Sequence, residues 1–185
     1  MITPNRLSWF RVAIALVCPF ILLSQRHVWG DIICMFLFAV ASITDWLDGY
    51  LARKYSMVSW IGKVLDPIAD KILILGTMIS FCLLGLYSFW WILLIIIREI
   101  SVTGTRFYCL KKGIVIPAEW AGKVKLGVQI VSISFTFFWL TAQDVSLTGF
   151  PLTVFAVLHW AGIVLANYFT VSSGIIFFKH LKLKP

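Results

Sequence analysis

Four of the eight acidic residues in this chain fall within one 26-residue window: Asp45, Asp48, Asp66 and Asp70. Asp45 and Asp48 are spaced i,i+3, and Asp66 and Asp70 i,i+4, so in helical segments each pair shares a face. Ionised carboxylates held together away from water repel one another unless protons or cations compensate. Protonation is one answer, the nearby Arg53, Lys63 and Lys71 are a second, and divalent metal is a third. Oxygen-only ligands select hard ions such as Mg²⁺ or Mn²⁺. Two such ions match four negative charges, and two metals bridged by carboxylates are the usual arrangement for in-line displacement at phosphorus. Gly49 and Ala52, which follow Asp48, and Gly62, one turn before Asp66, keep a helix face open to a ligand. Arg53 is suited to grip a phosphate bidentately. Asp48-Gly49 alone would read as a turn, and Asp66-Pro67 alone as a helix start. Four carboxylates together inside apolar segments read as a functional site, because ionisable groups there are costly to keep.

The elements that must position these residues are membrane helices. Of 185 residues, 61% are hydrophobic and 13% charged, and the mean hydropathy is +0.95. A soluble domain carries about 25% charged residues. A spanning helix needs about 20 mainly apolar residues. Six segments meet that need: 8–24, 30–53, 62–87, 89–110, 120–142 and 150–178. The expected fold is therefore all-α, one domain over 1–185, an integral membrane bundle of six transmembrane helices. The acidic site falls at the cytoplasmic ends of helices two and three. Asp45 lies about 22 Å along its helix from Gly30, and Asp66 about 6 Å in from Gly62, so both sit near the same end.

Orientation follows from the basic residues. Arg6, Arg53, Lys54, Lys63, Lys111, Lys112, Lys123, Lys125, Lys179, Lys182 and Lys184 collect on the side that holds both termini, and the opposite loops offer only Arg26. That bias predicts a multi-pass protein with termini and site on the cytoplasmic side, in a bacterial inner membrane. The net charge of +8 sits at helix ends, where it meets anionic lipid headgroups, and is no nucleic-acid signal. Cys18, Cys34, Cys82 and Cys109 show no CxxC spacing and read as buried thiols. The first apolar run leads into Gln25-Arg26-His27, not a small-residue cleavage site, which predicts a retained helix.

The string Asp45-Trp46-Leu47-Asp48-Gly49-Tyr50-Leu51-Ala52-Arg53, followed by Gly62-Lys63-Val64-Leu65-Asp66-Pro67-Ile68-Ala69-Asp70, resembles the signature of the CDP-alcohol phosphotransferases. All eight defining positions are filled, and the resemblance extends over nearly the whole chain. It implies that Asp45, Asp48 and Asp66 ligate metal. It also implies that Asp70 touches the second metal and acts as the base on the acceptor hydroxyl. Gly49, Ala52 and Arg53 would hold the cytidine diphosphate portion of CDP-diacylglycerol, with Ser59 a weaker candidate for a phosphate contact. Asn5 and Ser8, near the start of the first helix, are assigned to the same substrate. The resemblance further implies a homodimer.

Within the family the chain is most similar to the phosphatidylglycerophosphate synthases, which use sn-glycerol 3-phosphate as acceptor. The segments that carry this are Pro4-Asn5-Arg6-Leu7-Ser8 with Arg11, Arg98-Glu99-Ile100, Arg106, Gly122-Lys123-Val124-Lys125, and Thr170 through Ser173-Gly174. Arg98 and Glu99 follow nine apolar residues, so the pair must face a polar cavity. Arg98, Arg106, Lys123 and Lys125 suit a phosphate-bearing acceptor. Inositol phosphate is also anionic, so a phosphatidylinositol phosphate synthase stands as an alternative, as does a cardiolipin synthase of this fold. A cation transporter is a reading of another class, against which the acids lie near one face and not at the midplane. A non-catalytic scaffold would leave the acid cluster unexplained. His27, His159 and His180 show no ligand spacing. The tryptophans near segment ends read as interfacial anchors or core.

Overall fold

A computed structural model describes residues 4–24, 27–55, 60–114, 116, 120–146 and 148–182, with side chains for all of these except 4–10, 45–55, 60–68 and 182. Six helices follow one another: α1 (Pro4–Ser24), α2 (Val28–Tyr55), α3 (Trp60–Leu83), α4 (Phe89–Lys111), α5 (Trp120–Asp144) and α6 (Phe150–Lys182). No strand occurs among the described residues. Two helices, over 120–144 and 150–181, are by length and composition apolar enough to cross a membrane.

The helices form where expected, with different ends. The third stops at Leu83 and not at 87, because Gly85 adopts φ 76°. There the Leu86 amide donates to Phe81 O at 2.9 Å and the Gly85 amide to Cys82 O at 2.9 Å, the pairing that satisfies the last carbonyls of a helix closed by a left-handed glycine. Gly113, also at φ 76°, closes α4 identically, with Ile114 bonded to Cys109 O and Gly113 to Leu110 O. α6 runs on to Lys182, past the expected 178.

α1 packs along α2 and α3, α5 along α6, and the two groups join through α2 with α5 and α4 with α6. Several hydroxyl side chains bond within their own helices. Thr77 donates to Leu73 O, Ser80 to Gly76 O, and Thr170 to Ala166 O. Such bonds let these residues sit in an apolar bundle with their own donors met. Pro19 has no amide to offer Ala15 O, its partner one turn back. α3 places Gly76 against that carbonyl, where a Cβ would stand 3.4 Å from it. Gly162 lets α6 approach α5 closely, since a Cβ there would lie 3.1 Å from Ser132 Cα.

The buried centre holds Phe38, Phe81 and Phe137, with Phe81 edge-on to Phe137 at 5.0 Å. Toward the α3–α4 turn, Tyr87 Oη lies 2.8 Å from Thr136 Oγ1, which lies 3.1 Å from His159 Nδ1. Trp139 stacks on His159 at 4.4 Å. His159 thus belongs to a core network. Large apolar side chains face outward, among them Phe20, Phe36, Trp90 and Phe150. Cys18, Cys34 and Cys109 are buried free thiols, and Cys82 is a half-buried one.

Candidate active site

Asp45 and Asp48 lie in the continuous helical backbone of α2, and Asp66 and Asp70 in that of α3, so the i,i+3 and i,i+4 spacings are helical. Gly49, Ala52 and Arg53 follow on α2, and Asn5 and Ser8 lie on α1. The side chains of Asp45, Asp48, Ala52, Arg53, Asp66, Asn5 and Ser8 lie outside the described part of the structure, and Ser59 lies outside the described residues altogether.

Asp70 is described, and it is held from α1. Arg11 Nη1 donates to Asp70 Oδ1 at 2.6 Å. Arg11 is 1% exposed, one of the most buried side chains of the chain. A charge-assisted bond at this depth fixes the carboxylate's rotamer and ties α1 to α3. The sequence offered Arg11 only as part of a similar segment at helical spacing from Asn5 and Ser8. Nothing local marked its partner, 59 residues away.

Beside Asp70 opens a cavity of about 220 Å³. All four cations expected to meet an acceptor phosphate line it: Arg98 and Arg106 from α4, Lys123 and Lys125 from α5. Lys71, next to Asp70 on α3, joins them, and its ammonium donates to Thr103 Oγ1 of α4. Lys71 was legible as a cation near the acids but not as a member of this group. Glu99, on the same wall, accepts from Arg98 Nη1 at 2.9 Å and from Lys125 Nζ. Arg106 places its guanidinium 5.5 Å from the Phe177 ring centroid. The Nε groups of Arg98 and Arg106 are buried and have no hydrogen-bond partner among the described residues. Five basic side chains against two carboxylates, with buried donors unmet, make a cavity suited to a compact anion.

The floor is polar as well. Gln129, one turn beyond Lys125, lines the cavity and donates from Nε2 to Thr170 Oγ1 of α6 at 3.1 Å. The i,i+4 spacing of Lys125 and Gln129 was the available sequence signal for its place here.

Comparison with known proteins agrees with this architecture. Residues 1–172 match the CDP-alcohol phosphatidyltransferase family, and the chain belongs to it, as an enzyme of that class. It is 34% identical over 190 residues to the CDP-diacylglycerol–glycerol-3-phosphate 3-phosphatidyltransferase of Bacillus subtilis, covering 95% of this chain and 92% of that one. It is 39% identical over 143 residues to the protein of the same name from Mycoplasma genitalium, covering 77% of this chain and 61% of that one. A probable phosphatidylglycerophosphate synthase of Mycobacterium tuberculosis is 39% identical over 145 residues, or 78% of this chain and 65% of that one.

The Arg11–Asp70 pair yields a stability prediction. Arg11→Met in the chelator-treated protein should cost about 1.5–3 kcal/mol, the worth of a hydrogen bond to a charged group. The readout is the unfolding midpoint in detergent, and Arg11→Lys should recover part of the loss. An unchanged midpoint in Arg11→Met would show that the pair contributes nothing to the fold.

Proposed function

We propose that this chain is a phosphatidylglycerophosphate synthase, transferring the phosphatidyl group of CDP-diacylglycerol to sn-glycerol 3-phosphate with release of CMP. The observation that carries the reading is the cavity next to Asp70, whose cations and unmet guanidinium donors fit a phosphate-bearing acceptor. The names of the relatives from Bacillus subtilis and Mycoplasma genitalium support the same acceptor. A neutral acceptor such as serine or inositol would leave the cations without a counterion. Inositol phosphate is the competing anionic acceptor.

The donor set fits divalent metal. Asp45, Asp48, Asp66 and Asp70 offer oxygen alone, from helical positions that keep each pair within one turn. These residues would hold Mg²⁺ or Mn²⁺, two ions in our reading, which when bound neutralise the donor's pyrophosphate. Gly49, Ala52, Arg53, Ser59, Asn5 and Ser8 would bind CDP-diacylglycerol. The protein's own groups then set up the displacement. Arg98, Arg106, Lys123 and Lys125 hold the acceptor's phosphate, which leaves its hydroxyl toward α3. Asp70, oriented by Arg11, takes the hydroxyl proton as that oxygen forms a bond to the β-phosphorus. The bond from the β-phosphorus to the bridging oxygen breaks, and CMP departs with its electrons.

We read the six helices as membrane spans, with both termini and the site on the cytoplasmic side. The support is the one-sided placement of lysine and arginine and the outward-facing apolar side chains.

Three experiments test these statements. Purified enzyme given CDP-diacylglycerol should release CMP with glycerol 3-phosphate, poorly with inositol phosphate and not at all with serine. Exhaustive chelation should stop it, and Mg²⁺ or Mn²⁺ should restore it. Faster turnover with inositol phosphate would move the assignment to a phosphatidylinositol phosphate synthase, and full activity after chelation would remove the metal. Second, Asp70→Asn should lower kcat by about 10²–10⁴-fold, the usual worth of a placed base, while donor binding falls much less. Near-normal turnover would give the base role to another group. Third, cysteines placed at Lys54 or Lys112 should resist labelling from outside the cell, and efficient labelling at either would overturn the orientation.

A further inference from the structure

We propose that Glu99 is the positioning residue of the cationic cavity: its buried carboxylate, shared by Arg98 and Lys125, holds both cations in place and thereby sets acceptor affinity. This rests on the reading of that cavity as the acceptor site.

Glu99 is 7% exposed, in the middle of a helix whose neighbouring residues Ile97 and Ile100 face outward. A carboxylate is kept at such depth only when paired. Its Oε1 takes both partners, Arg98 from its own helix and Lys125 from α5. The relation is reciprocal. Lys125 is 5% exposed, and Glu99 is the carboxylate that bonds its ammonium. One negative charge cannot neutralise two positive ones, so the triad remains a cation. Its donors also remain in surplus. An ammonium has three N–H groups and a guanidinium five, and Glu99 engages one of each. The carboxylate therefore orients the pair without using it up.

The rest of the wall constrains the same two residues. A Cβ on Gly174 would lie 3.2 Å from Arg98 Cγ, so α6 comes close enough that glycine alone leaves the arginine stem its place. Arg98 is thus confined at its stem by α6 and at its head by Glu99. Gln129, bonded to Thr170, ties α5 to α6 one turn from Lys125. Held this way, the two cations lose little rotamer freedom when an anion arrives, and preorganisation of that kind raises affinity. A general base is the other role open to a buried carboxylate. Two adjacent cations disfavour it here, since they stabilise the ionised carboxylate.

The test is a split of kinetic constants. Glu99→Gln keeps shape and volume but removes the charge. Its KM for glycerol 3-phosphate should rise about ten- to a hundredfold, the effect of losing a charge-assisted contact. The KM for CDP-diacylglycerol should stay within about twofold, because a loss confined to one substrate's binding leaves the other's constant in place. Coupling is checked with Lys125→Met. If Glu99 acts through Lys125, the double variant's rise falls well short of the product of the two single rises. Gly174→Ala leaves every charge in place and shifts only the Arg98 stem. It should also raise the acceptor KM selectively, which checks the Arg98 half of the arrangement; if Glu99→Gln does not fold, Glu99→Asp, which keeps the charge but shortens its reach, takes its place with the same split expected. An acceptor KM that is unchanged or lower, equal damage to both substrates, or strictly multiplicative effects would overturn the positioning role. Wild-type enzyme that turns over without saturable dependence on glycerol 3-phosphate would instead overturn the acceptor reading, and this inference with it.

Discussion

A charge inside an apolar bundle must be met by another, and most of this structure can be read as the means of meeting that demand. The pairs are built across helices. Arg11 and Asp70 join α1 to α3, Lys71 and Thr103 join α3 to α4, and Glu99 joins α4 to α5 through Lys125. Each is at once a compensation for desolvation and a strut, because truncating one partner takes a bond from a group held out of bulk water. On the proposed reading, charged residues that the chemistry uses are therefore also ones that fix how the helices stand. Site and scaffold are in this region the same set of bonds.

Elsewhere the bundle keeps its polar atoms local. Hydroxyls return to carbonyls of their own helix, and left-handed glycines close α3 and α4 with the last carbonyls satisfied. Gly76 and Gly162 allow close helix approach where a side chain would not fit easily. Such devices let the helices pack by shape, which matters where lipid offers no hydrophobic drive for helices to associate.

Much of this was legible in the sequence, and the reasons are specific. The acidic motif could be seen because its spacing is local and its residue types are costly in apolar surroundings. The six helices followed from runs of apolar residues, and the cations of α4 and α5 from their interruption of such runs. Helix ends were less clear. Tyr87 reads as a continuation of the third apolar segment, yet Gly85 turns the chain and sends the tyrosine ring back into the core. Pairings over long sequence distance carry no local signal at all. Arg11 finds Asp70, and Gln129 finds Thr170, only once the helices are packed. Gly174 likewise acquires its meaning only from the arginine lying against it.

The rings of Phe38, Phe81 and Phe137 pack in the buried centre, and beyond them Tyr87, Thr136 and His159 bond to one another. Among the described residues the interior thus holds close-packed rings in the middle and a short hydrogen-bonded set beyond them. For a chain seated in an energised bilayer this has a bearing on the cell's economy. On the membrane reading proposed above, charged reactants would be handled in the cavity while the close-packed rings resist the passage of protons or metal ions. On that reading the bundle would serve as a stopper that carries a workbench, and a gradient across the membrane would not be spent on lipid synthesis.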